Sequence, residues 1–144
     1  MLYKFQSDRT KKLFEDVLRS LKPVFRDGLV ALVTMATDQP DVAAKAGLPL
    51  DAIAATDGRA IYLDSDRLIK LQAHWCCGII AHELAHVALG HCDNAVKARL
   101  DHDTIEKQAD ALAGAWGFRR LLQDGGLVSK QIYNKPVPFG QIQL

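Results

Sequence analysis

The residues best placed to do chemistry are His82, Glu83 and His86, in the stretch His82-Glu83-Leu84-Ala85-His86. Two histidines four positions apart project from one helix face about one turn from each other and can converge on a single ion. Neutral imidazole suits borderline Zn²⁺, and a catalytic zinc keeps three protein ligands with water in the fourth position. Glu83 is next to His82 and off the ligand face, within reach of that water, as a general base must be. The chemistry this implies is attack of activated water on a polarised carbonyl. With five His and three Glu in 144 residues, the pattern arises by chance on the order of a few times per thousand such chains, so coincidence is the poorer explanation.

Two ligands leave a third to find. Glutamate occurs only at positions 15, 83 and 106. Glu106 falls in the first turn of the next expected helix, and an antiparallel return of that helix would bring it over the metal face. Asp110, one turn later, would accept the second N–H of a ligating histidine. Otherwise both are solvated helix charges. A third histidine at metzincin spacing is ruled out, because Leu89 and Cys92 stand where that pattern needs Gly and His. His102 is an alternative ligand. His91, about 140° around the helix from His86, is expected to point away from the metal and to favour the helix C-terminus. His74 reads as a core or rim histidine. A donor for the oxyanion would come from His74, His102, Tyr62 or Tyr133.

These residues need elements to hold them. Ser7 to Leu21 carries apolar residues at helical spacing and reads as an amphipathic cover helix. Leu29 to Met35 reads as a buried strand, and residues 36–50, with two prolines and Gly47, as loop or short irregular helix. Asp51 to Thr56 and Ala60 to Leu63 flank Asp57-Gly58-Arg59, a hairpin signature, giving about three strands. Asp64 to Asp66 offer N-caps for a helix from about Arg67 to Leu89, closed by Gly90. A last helix runs from about Asp103 to Leu122, before Gly125-Gly126. The expectation is a single domain over residues 1–144, with a core of about 7–123 and residues 124–144 as a strap or tail.

Composition narrows the classes. At 49% hydrophobic, the chain can bury one ordinary core. Its net charge of +1 comes from interspersed charges, with no basic stripe for nucleic acid. No apolar run approaches ~18 residues and the N-terminus shows no apolar leader core, so no membrane partner and a cytoplasmic location are expected. Cys76, Cys77 and Cys92 are an odd set that reads as reduced thiols rather than a disulfide framework.

With the histidine pair, the continuation Val87-Ala88-Leu89-Gly90-His91, the later Glu106-x-x-Ala109-Asp110 and the hairpin ending Gly58-Arg59-Ala60-Ile61-Tyr62-Leu63, the chain resembles the ImmA/IrrE family of small gluzincin-type zinc metallopeptidases. The resemblance spans roughly Leu29 to Leu122. It implies an α+β, zincin-like (minigluzincin) fold: a cover helix, a small three-stranded sheet, the active-site helix and a glutamate-ligand helix. It also implies one Zn²⁺ per chain on His82, His86 and Glu106, with Glu83 as the catalytic base. A protein or peptide substrate, a regulatory protein such as a repressor among the candidates, would add as a strand along the edge at Ile53 to Thr56. Two rival readings are a zinc-bound protein-interaction module with little turnover and a closed structural site completed by His102 or Cys92.

Overall fold

A computed structural model describes residues 1–119. Its elements are β1 (Leu2–Lys4), α1 (Asp8–Ser20), α2 (Pro23–Leu32), β2 (Met35–Thr37), α3 (Pro40–Lys45), β3 (Ala54–Thr56), β4 (Ala60–Leu63), α4 (Ser65–Leu68), α5 (Ala73–Ala88), α6 (Asn94–Arg99) and α7 (His102–Ala115). The fold is mixed α+β around a small sheet of order β1-β2-β4-β3. β1, β2 and β4 run parallel, while β3 pairs antiparallel with β4 and so forms one edge.

The hairpin between β3 and β4 forms as its turn residues dictate. Asp57 Oδ1 accepts the backbone N–H of Arg59 at 2.9 Å and of Ala60 at 2.8 Å. Gly58 adopts φ +91°, a left-handed value that a side chain resists. Asp64 N–H donates to Ile53 O and Asp57 N–H to Ala60 O. In an antiparallel ladder the residues between these bonded pairs face the other way. Ala54 and Thr56 therefore turn their backbone groups toward the open edge.

Helix α5 runs through the interior. Every residue from Ile79 to Val87 is buried, against α1, α2, α7 and β3. α1 covers it with Phe14, Val17 and Leu18, and Ser7 caps that helix by accepting from Thr10 N. Asp38, just after β2, ties the layers together. Its carboxylate accepts Gln6 N–H at 2.8 Å, Ser7 N–H at 2.9 Å and Ser65 Oγ–H at 2.8 Å.

Several expectations are corrected. The sheet has four strands, because the N-terminal residues Leu2–Lys4 pair with β2. The run Leu29 to Met35 is mostly helix: Pro23 starts α2 at its first turn, and only Met35 joins a strand. The run from Arg67 to Leu89 is two helices, α4 and α5. Arg9 holds the break, its guanidinium donating to Leu68 O at 3.1 Å and Leu71 O at 2.8 Å. A short helix, α6, capped by Asp93, was not anticipated. The cover helix and the β3–β4 hairpin stand where expected. The end of the last expected helix, to Leu122, and the tail at 124–144 lie outside the described residues. Among those described, no helix is long and apolar enough to cross a membrane.

Candidate metal centre

His82 and His86 sit one turn apart on α5, both buried, with their Nε2 atoms 3.0 Å apart. α7 returns alongside α5 and carries Glu106 to them. Glu106 Oε2 lies 2.9 Å from His82 Nε2, and Oε1 lies 3.2 Å from His86 Nε2. This cluster of His82, His86 and Glu106 could hold a metal ion. Ligands about 2.1 Å from an ion at tetrahedral angles lie ~3.4 Å from each other, close to the separations seen here.

The ring nitrogens facing away from this point are tied in place. His82 Nδ1–H donates to Asp110 Oδ1 at 2.6 Å, the role the sequence suggested for Asp110. His86 Nδ1 lies 3.0 Å from Nδ1 of His91, whose Nε2 lies 2.8 Å from Gln108 Oε1. Because an amide oxygen only accepts, His91 must donate from Nε2 and accept at Nδ1, which makes His86 the donor. Both tautomers are thereby set, with the Nε2 lone pairs left for an ion. Burial pushes the His91 imidazole down, against the effect of its hydrogen bond to Gln108 Oε1, and so favours this neutral form.

No family model, curated protein or solved structure matches this chain. Local geometry must therefore carry the functional argument. The His91 contact corrects the expectation that this residue points away as a helix-end group. Gly90 leaves α5 at φ +67°, with Gly90 N–H bonded to Val87 O and His91 N–H bonded to His86 O. This is a Schellman ending, which brings the second residue past the cap against the third from the end. Here those two residues are His91 and His86. The Leu89-Gly90-His91 sequence carried that signal.

Burial alone would raise the Glu106 carboxyl, but when protons rather than an ion occupy the Nε2 positions, the hydrogen bonds and charges of His82 and His86 overrule it and hold it well below the usual carboxylate range, so protons and a metal compete for the same atoms. The metal cluster opens on a cleft of about 510 Å³. It is lined by the edge strand β3 with Ala52 and Pro49, and by Leu100, His102 and Ile105. Glu83 and Cys92 line the same cleft. A second hollow of about 480 Å³ adjoins it at His86 and Cys92 and continues past the hairpin tip at Asp57 to Arg59.

Among the described residues the metal-capable group does not extend to Glu83, Cys92 or His102. Three candidate ligands beside a cleft, with neither His102 nor Cys92 among them, suit an open site better than the closed one those residues would complete. The other residues named from sequence are dispersed. Tyr62 is buried on β4 with Ala43 and Leu48. His74 stacks on Trp75 at the start of α5. Tyr133 lies outside the described residues.

Proposed function

We propose that this chain is a zinc-dependent peptidase of zincin-like, gluzincin type, acting on protein or peptide substrates. The observation that carries this reading is the convergence of His82, His86 and Glu106 on one point at the floor of a cleft that Glu83 also lines. The resemblance to the ImmA/IrrE family agrees with it. Zinc held there would supply Lewis acidity, lowering the pKa of a neighbouring water and polarising the scissile carbonyl. The remaining chemistry belongs to the chain. Glu83 takes a proton from the attacking water as the new C–O bond forms, then delivers it to the amine nitrogen as the C–N bond breaks.

The substrate is held by the sheet. Ala54 presents an outward N–H and C=O at the open edge of β3, beside the metal cluster, so an extended peptide can add as a further strand.

The test is metal content and turnover together. Wild type should hold about one zinc after dialysis, Glu106→Ala should lose it, and Glu83→Gln should keep it while losing cleavage of unstructured peptides. Zinc retained by Glu106→Ala, or cleavage retained by Glu83→Gln, overturns the assignment.

A further inference from the structure

We infer, resting on the peptidase reading, that His102 is a catalytic residue: its ring N–H donates to the carbonyl oxygen as negative charge grows there during attack. His102 and Glu106 stand four positions apart on α7, so they share a helix face one turn from each other. Both line the cleft, as does Glu83 from α5. The cleft is thus lined by a carboxylate, which accepts a proton, and by an imidazole, which carries an N–H in either tautomer.

An oxyanion forming in the cleft needs such a donor, and the described residues offer few. Tyr62 is buried against Ala43 and Leu48. His74 rests on Trp75, away from the residues that line the cleft. His91 has both ring nitrogens engaged, by His86 and Gln108. His102 remains. Its place is fixed at the backbone, because Asp101 caps α7 by accepting Thr104 N–H at 2.7 Å. Its ring is exposed to the cleft, where a bound peptide would cover it and strengthen the hydrogen bond by excluding water.

In the reaction the water proton goes to Glu83 and the carbonyl electron pair moves onto oxygen. His102 donates to that oxygen without losing its own proton. Collapse returns the pair to carbon and expels the amine with the proton from Glu83.

The experiment uses zinc-loaded full chain with a mixture of synthetic decapeptides of randomised sequence, read by mass spectrometry. One cleaved peptide is then studied kinetically beside a phosphonamidate analogue of its scissile bond. His102→Ala should keep one zinc and lower kcat by about 10²–10³-fold with KM changed little. Affinity for the phosphonamidate should fall by a similar factor, because it mimics the tetrahedral state. His102→Gln, which restores an N–H, should recover about tenfold or more of the loss. If His102→Ala stays within threefold of wild type, or Gln rescues no better than Ala, His102 is not the donor and the peptidase reading stands. If wild type cleaves no peptide, the peptidase reading fails and takes this role with it.

Discussion

Replace His91 by phenylalanine and His86 keeps its position on α5 but loses the acceptor of its Nδ1–H. The ring volume is nearly conserved, so the change is in polarity rather than packing. His86 is buried, and an N–H left unsatisfied there costs about 1–3 kcal/mol. Outer-shell partners of metal-bound histidine are worth about 10–100-fold in affinity, ~1.4–2.8 kcal/mol, which agrees. We therefore expect the zinc dissociation constant of His91→Phe to rise by about 10–100-fold. Gln108 is exposed and reaches the site only through His91. In Gln108→Leu water can take the His91 N–H, so the loss should be about threefold or less. The double variant should match His91→Phe alone, since Gln108 has nothing left to act on. Competition with a chromophoric chelator at fixed pH measures all three. An affinity for His91→Phe within threefold of wild type, or fully additive losses in the double, would refute the relay.

Three further outcomes are expected. Asp38→Ala removes the acceptor of Gln6, Ser7 and Ser65 together; urea unfolding should show a loss of about 2–4 kcal/mol, and an unchanged midpoint would remove Asp38 as the tie between layers. Gly90→Ala forces a side chain into φ +67° and should cost about 1–2 kcal/mol of stability. It should also weaken zinc binding, because His91 moves with that turn; lost stability with intact affinity would separate the helix ending from the metal. Ala54→Pro removes an N–H that faces the open edge rather than β4, so the fold should survive by circular dichroism while peptide cleavage falls at least tenfold. Unimpaired cleavage would place the substrate elsewhere.

What the sequence made legible was local. The spacing of His82 and His86 is a property of one helix, and Glu106 stood out because the chain has so few glutamates. Asp110 followed from Glu106 by one turn. The hairpin announced itself through Asp57-Gly58, whose side chain and φ close the turn without outside help. What stayed hidden depends on distant partners. β1 is three half-exposed residues that become a strand only by pairing with β2, more than thirty positions away. The gap between α4 and α5 is held by Arg9, some sixty residues upstream. α2 misled for another reason: Val24, Val30 and Leu32 are exposed, so its apolar run shows no clean helical face. Short apolar runs do not distinguish strand from helix by periodicity. His91 was misread because the ideal helix angle was carried one residue beyond Gly90, where the helix has already ended.

The edge of β3 does not stand open to all comers. Leu100, His102 and Ile105 line the same cleft as this edge, so an incoming strand must fit within it. Neighbouring strands in a sheet lie about 4.8 Å apart, and a strand still embedded in its own sheet brings those neighbours with it. A cleft of about 510 Å³ has no room for them. Only a segment already detached from its fold can enter, so under the peptidase reading selection acts on the stability of the victim as much as on its side chains. Cleavage would then track how often a target locally opens. A well-folded protein carrying an ideal cleavage sequence would be spared, and the same protein, loosened by heat or by loss of its partner, would be cut.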